Sequence, residues 1–424
     1  MTKQKEHILV IVESPAKSKT IKKILGSSYD IEASYGHIRD FPPKVLGFDV
    51  KNNFTPTFEI IPEKRAVVKK LNDLAKKADK VYLASDPDRE GEAIAWHVRQ
   101  VIDVPDKKVF RIEFNEITPK AVTYAVEHSR QIDMQRVKAQ QTRQILDRLV
   151  GYKISPVLWE KMRNYHLSAG RVQSVALRMI CEREDEIKAF IPVEYWSISA
   201  DLLHGKSQFT AELAKYKNSK VDIKNEDEAS KIVNYLKEKD RNFEVSKITT
   251  RNTQRKPTAP FITSTLQRAA SNKLGYGVSK TMQIAQKLYE GIELENETVG
   301  LISYMRTDSI RLSNDFIKET TDYIKGKYGA DYVGSVKVSK KTENVQDAHE
   351  AIRPTSIKRD PISMKPFLTP DEFKLYSLIY KRALASLMAP SINLATTVLL
   401  ENNDYIFKST GSVNKFDGYL DRKS

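Results

Sequence analysis

Four acidic residues, Asp86, Asp88, Glu90 and Glu92, fall within seven positions of the stretch VYLASDPDREGEAIAWHVRQVI. They follow an apolar run of the kind that forms a buried strand, and apolar residues at helical spacing come next. Glu13 closes another such run, HILVIVES. In an open parallel sheet, ligands collect beyond the carboxyl ends of the strands. If the two strands are neighbours, Glu13, Asp86, Asp88 and Glu90 share one crevice. Crowded carboxylates repel, and a hard cation such as Mg²⁺, bound through carboxylates and waters, relieves that repulsion. Mg²⁺ in turn clamps phosphate oxygens. A bare D-x-D has a plainer reading, an acidic turn whose Asp88 caps the next helix. The matching strand-end position of Glu13 favours the metal.

A second constellation lies in VGLISYMRTDS, read as a strand running into a polar loop. Tyr304 and Arg306 are two apart, so in extended chain they point to one side. A phenol, with its ordinary pKa near 10, is a poor nucleophile unless a nearby cation stabilises the phenolate. Arg306 can do that, and its fork can clamp a phosphate. One tyrosine among 19 carries little by spacing alone. In QTRQILDRLVGY, Arg143 and Asp147 share a helical face at i, i+4. In LSAGRVQS, Ser168, Ala169, Arg171, Val172 and Gln173 flank Gly170, which lets backbone approach a phosphate closely. Tyr152 and Trp159 read equally as base-stacking platforms or core residues.

The composition agrees with a phosphate-bearing substrate. The 424 residues hold 70 Lys plus Arg against 55 Asp plus Glu, a net charge of +15. That points to a polyanionic partner, nucleic acid before membrane. The single cysteine, Cys181, excludes an internal disulfide framework and a tetracysteine zinc site. No apolar run is long enough to span a bilayer, and the first residues do not resemble a signal peptide. A cytoplasmic protein is expected. HGKSQ lacks the first glycine of a phosphate-binding loop and lies between strand-like runs, so it reads as a hairpin turn.

The elements that must position these residues follow from periodicity. Residues 7–125 alternate strand and helix, with strands at HILVIVES, KVYLAS and KVFRIEF, and Ile94, Val98, Val101 and Ile102 on one helical face. This predicts an α/β unit with a mainly parallel sheet. Residues 130–190 read as helical. From about 191 the pattern changes to antiparallel strands around one helix, RKPTAPFIT reads as a linker, and helices follow to EFKLYSLIYKRALASLM. Strand-like sequence returns near TTVLLENNDYIFKSTGS. The fold class is multidomain α/β and α+β. The expected boundaries are 1–130 for the parallel-sheet domain, 131–190 for a helical domain, 191–260 with 390–424 for a β-rich domain, and 261–389 for a mainly helical domain.

VIVESPAKSKTI, GHIRD and SDPDREGEAIAW resemble the Toprim domain of type IA DNA topoisomerases, in their bacterial topoisomerase I group. AQQTRQILDRLVGY, LSAGRVQSVALR, LISYMRTDS and DAHEAIRPT match further motifs of that family, in its order and over essentially the whole chain. The resemblance implies ATP-independent relaxation of negatively supercoiled DNA. One strand is cleaved through a 5′-phosphotyrosine intermediate, a strand is passed, and the break is resealed. It implies Tyr304 as nucleophile, Arg306 beside it, Glu13 near the scissile phosphate and the Mg²⁺, and Lys17 as proton donor to the leaving 3′ oxygen. His349 and Arg353 match residues near the active tyrosine, and Arg353 and His37 match DNA contacts. The 131–190 helices imply a single-strand groove containing Arg143, Asp147 and Gln144, the last standing where the family often has a second arginine. The 191–260 and 390–424 region implies a gate or hinge. A monomer acting on single-stranded or negatively supercoiled DNA is expected.

Three other readings were weighed. A topoisomerase III-like decatenase usually has proline where Met305 stands, and a Toprim primase or nuclease lacks SYMRTDS. The chain also stops inside a β pattern at KFDGYLDRKS. That suggests a fragment that binds and cleaves single-stranded DNA but relaxes plasmid DNA poorly.

Overall fold

The computed structural model describes residues 6–217, 219–239, 241–334 and 350–422. Their contacts divide them into two compact units. One is drawn from Met1–Arg178, Thr258–Gly329 and Val336–Leu387, the other from Met179–Pro257, Ala330–Ser335 and Met388–Ser424. Among the described residues no helix is long and apolar enough to cross a membrane.

The first unit opens with β1 (Ile8–Val12), α1 (Pro15–Leu25) and β2 (Tyr29–Ala33). It continues through α2 (Arg65–Lys77), β3 (Lys80–Leu83), α3 (Arg89–Val101), β4 (Val109–Arg111) and α4 (Pro119–Glu127). The sheet order is β2-β1-β3-β4, and every pairing is parallel. Central β1 is buried on both faces, which is why ILVIV carries no polar alternation. Helices cover the sheet, with Leu71 of α2 and Val98 of α3 in one apolar core with Leu9 and Val81. Ser14 caps α1 by accepting from the Lys17 amide, and Asp88 caps α3 by accepting from the Gly91 amide. Because β1 and β3 are neighbours, the acids at their ends share one edge.

The third strand is shorter than its apolar pattern suggests. It is confined to Val109–Arg111: the Ile112 amide still reaches Leu83 of β3, and the carbonyls of Phe114, Asn115 and Ile117 then bond elsewhere in the same unit. The helix α5 (Met134–Met162) is longer than expected and runs through Pro156, whose missing N–H frees the carbonyl of Tyr152. It is followed by α6 (Gln173–Ala189).

The second unit contains β5 (Ser199–His204), β6 (Ser207–Tyr216), α7 (Glu226–Glu238) and β7 (Glu244–Arg255). His204 pairs with Ser207, so HGKSQ is the tight connection of a hairpin. The chain then gives the first unit α8 (Thr263–Leu274), α9 (Val278–Glu290), α10 (Asn314–Tyr328) and α11 (Pro370–Ser386). It returns to the second unit as β8 (Ser391–Asn402) and β9 (Tyr405–Phe416), which pair antiparallel along their length. In that sheet β6 pairs with β9, β9 with β8, and β8 with β7, which forms an edge. Phe407, Leu400 and Ala211 form its core, with Leu236 of α7 packed against them.

One buried ion pair joins the parallel sheet to its helices. The Glu92 side chain on α3 and Arg111 on β4 are both fully buried. Arg111 Nε donates to Glu92 Oε2 at 3.2 Å, and its other nitrogens reach the carbonyls of Leu83 at 3.0 Å and Asp86 at 2.7 Å. Arg130 adds two hydrogen bonds to Glu92, at 2.8 and 2.7 Å, and the Asp133 amide adds a third at 2.6 Å. Burial alone would raise the Glu92 carboxyl, but Arg130, Arg111 and the Asp133 amide hold it down at about 2. A depressed carboxylate stabilises the fold above its ordinary value of 4.5, and that contribution is lost as pH falls through about 2. Removing one partner of a buried pair leaves a charge without compensation. Glu92→Ala is therefore expected to cost about 3–5 kcal/mol at neutral pH, measured by urea denaturation. A loss below about 1 kcal/mol would show that the pair is not a structural keystone.

Candidate active site

Glu13, at the end of β1, accepts a hydrogen bond from the Asp86 amide at 2.7 Å. Lys17, one turn into α1, is almost fully buried. Its ammonium lies 2.5 Å from Asp86 Oδ1 and 3.6 Å from Glu13 Oε2. Burial works against that charge, but the neighbouring carboxylates outweigh it and keep Lys17 protonated. Asp86 is pushed up to about 7, chiefly by burial and then by the charges of Glu13 and Asp88 against the pull of Lys17. The crowding expected from the sequence is thus present in the fold.

Asp88 has two tasks. Its Oδ1 caps α3, and its Oδ2 accepts the Tyr304 hydroxyl at 2.6 Å. Arg306 approaches the same oxygen at 3.9 Å, with its side chain more than half exposed. Tyr304 and Arg306 therefore converge on one carboxylate, although the tyrosine is buried. Burial, then the charges of Asp86 and Asp88, push the Tyr304 phenol well above its ordinary range, and Arg306 opposes them.

Main-chain contacts within the unit hold Tyr304 in place. Its amide donates to the Asn115 carbonyl at 2.7 Å, and the Gly300 amide to the Ile117 carbonyl at 2.8 Å. The Tyr289 hydroxyl reaches the Phe114 carbonyl at 3.1 Å, while its ring meets the Tyr304 ring edge-on at 5.2 Å. Gly300 is required by close approach, since a Cβ there would lie 2.5 Å from the Tyr289 carbonyl oxygen.

A cavity of about 570 Å³ opens onto Glu13, Asp86, Asp88, Glu90, His37 and Arg306, with Gln283 and Gln286 of α9 among its other walls. Its acids are hard oxygen donors. Among the described residues, no three Asp, Glu, His or Cys side chains form a ready-made cation cage. The donor set fits a hydrated ion held by one or two carboxylates, the habit of Mg²⁺. Glu90 is held below its ordinary value, first by its hydrogen bond with His37, 3.3 Å away. Gln140 also donates to Glu90, at 3.1 Å. Sequence reading missed Gln140, although it lies one turn before Arg143 on the same helix. Glu92, the fourth acid of the opening cluster, faces Arg111 instead of this cavity.

The residues read as DNA contacts are spread more widely. Arg143 lies 3.9 Å from both Glu90 and Asp147. Asp147 receives two hydrogen bonds from Arg171, at 2.8 and 3.2 Å, and is held below its ordinary value by them. Gln144 donates to Asp40 at 2.8 Å. Tyr152 is exposed and bonded to Arg148, whereas the Trp159 ring nitrogen donates to the Leu167 carbonyl at 2.6 Å. Ser168 accepts from Gln173, and the Gly170 amide donates to Ser174. Ala169 is buried, with its amide on Ser155, while Val172 is exposed. Arg353, read as a DNA contact, is buried, because Glu116, Glu350 and Ser313 take up its guanidinium over the Phe316 ring. His349 lies outside the described residues.

Comparison with known proteins gives matches to two family models and to solved structures. A family model described as DNA topoisomerase matches residues 131–423. A second, the Toprim domain, matches residues 8–117. Among solved structures, the chain is similar to full-length topoisomerase I from Thermotoga maritima, in a monoclinic crystal form. The TM-score is 0.84 and the sequence identity 43%, over 98% of this chain and 67% of that one.

The acidic loop rests directly on α3. A Cβ on Gly91 would lie 2.1 Å from the Asp86 carbonyl oxygen, a backbone atom that no side-chain rotation can move away. Gly91→Ala is expected to shift Asp86 and cost about 1–3 kcal/mol, read as a lowered thermal midpoint. An unchanged midpoint would mean that the loop tolerates displacement.

Proposed function

This chain belongs to the type IA DNA topoisomerases, and from that membership we propose that it opens and reseals one DNA strand without ATP, relaxing negative supercoils. The observation that carries the reading is the Tyr304 hydroxyl on Asp88, beside Arg306 and at the mouth of the acidic cavity.

The proposed step balances. Tyr304 Oη bonds to the phosphorus of a phosphodiester as the bond from phosphorus to the 3′ oxygen breaks. The phenolic proton passes to Asp88, which already accepts it as a hydrogen bond. The leaving 3′ oxygen takes its proton from Lys17, which its carboxylate neighbours keep charged. Arg306 faces the cavity and holds the non-bridging oxygens. One phosphodiester is exchanged for another, so reversal reseals the strand with no external energy source. Asp86 and Asp88, with Glu13 or Glu90, would hold a Mg²⁺ ion, which when bound would supply positive charge for phosphate oxygens. The helix α5 and the loop at 168–173 serve as the single-strand groove, with Arg143 and Arg171 as phosphate contacts once DNA competes for their carboxylate partners.

In the resting arrangement the phenol is raised and buried, so its proton leaves for Asp88 only as Oη bonds to phosphorus. Tyr304→Phe removes the attacking oxygen and little else. It is expected to abolish the denaturant-resistant adduct with a labelled single-stranded oligonucleotide while leaving DNA affinity unchanged. An adduct persisting in that variant would refute the assignment. Replacing Asp86 and Asp88 together by alanine should weaken Mg²⁺ binding by about tenfold or more, at about 1.4 kcal/mol per decade. Calorimetry showing unchanged affinity would move the metal elsewhere.

A further inference from the structure

The edge of the second unit's sheet carries a charge pattern that cleavage at Tyr304 does not use. Strand register puts Lys247, Arg251 and Arg255 of β7 on one face, with Thr249 and Thr253 between them. That face is opposite the one packed by Val398 and Leu400. It continues with Thr397 and Asn393 on β8 and with Thr410 and Ser412 on β9. The three β7 cations are exposed, and among the described residues none makes an ion pair. Acids return only at its borders, at Glu244 and Glu401 beyond Lys247 and at Glu212 opposite Lys408.

Charged residues on an edge strand guard against strand-to-strand aggregation. Either sign, on either face, would serve that purpose. From Lys247 to Arg255 the charges are all positive and on one face, with Thr249 and Thr253 between them and Leu399 and Ala395 of β8 opposite Lys247 and Arg251. Cations four residues apart along a strand are separated by about 13 Å, which suits phosphates on the two sides of a major groove about 12 Å wide. The face has no aromatic side chain on β7 between Lys247 and Arg255, nor at the β8 and β9 positions beside them. Single-strand grooves depend on such rings for stacking. We infer that this face of β7, β8 and β9 docks duplex DNA through its phosphates, as a second DNA surface separate from the Tyr304 site.

The test uses the full chain and compares a short blunt duplex with a single-stranded oligonucleotide across a salt series. With Lys247→Gln, Arg251→Gln and Arg255→Gln combined, the log-log salt slope for the duplex should fall by up to about 2.7, at about 0.9 per phosphate contact. Single-strand affinity and the Tyr304 adduct should be unchanged. Arg251→Gln alone should lower the duplex slope by about 0.9, which keeps the test open if the triple variant melts early by circular dichroism. Arg251→Lys should retain the slope. An unchanged duplex slope in Arg251→Gln, or an equal loss on single-stranded DNA, would overturn the proposal. Adduct formation by Tyr304 is read separately, so failure of one reading does not imply failure of the other.

Discussion

The acidic site depends on a buried salt bridge that takes no part in it. Glu92 and Arg111 neutralise each other inside the parallel-sheet domain, and Arg111 uses its remaining donors on the carbonyls of Leu83 and Asp86. A guanidinium is planar and permanently charged, so its fork fixes both carbonyls at once. The loop leaving β3 therefore departs at a set angle. Asp86 and Asp88 are positioned by that departure before any ligand arrives. Isolated buried pairs contribute little net stability; this one is retained with three further donors on Glu92, which is how a buried carboxylate becomes affordable.

Around that anchor the site is arranged with its charges in tension. Lys17 neutralises part of the cluster from behind, and Arg306 approaches from the open side. The carboxylate that orients Tyr304 also discourages its ionisation. A polyanion entering the cavity meets Arg306 first, since Lys17 is sealed beneath Asp86.

Much of this was legible in the sequence. The apolar runs of β1 and β3 indicated a parallel sheet, and their terminal acids a shared edge, because ligand crevices lie where parallel strands end. Asp88 was read both as a helix cap and as a metal ligand; it caps α3, and its other carboxylate oxygen accepts from Tyr304. Pairing over long sequence separations was not legible. Nothing in the pattern of α3 distinguishes Glu92 from Glu90, yet one faces Arg111 and the other His37, because residues two apart on a helix point about 200° apart. Arg353 was read as a DNA contact near the active tyrosine, since no local feature reveals the carboxylate of Glu116, 237 residues away. The shortness of β4 was hidden for a similar reason, because the apolar residues after Arg111 pack where they serve the tyrosine segment.

That last segment has a consequence for how such a site can change over time. Residues 114, 115 and 117 hold the neighbourhood of Tyr304 with carbonyl oxygens, accepting from the Tyr289 hydroxyl and the amides of Tyr304 and Gly300. Every amino acid has a carbonyl, so these three contacts survive a change of side chain. Length cannot drift in the same way. One residue gained or lost between β4 and α4 would present a different set of carbonyls and shift the tyrosine relative to Asp88. The address of the reactive oxygen is written in the count of peptide units, a specification that tolerates substitution but not insertion.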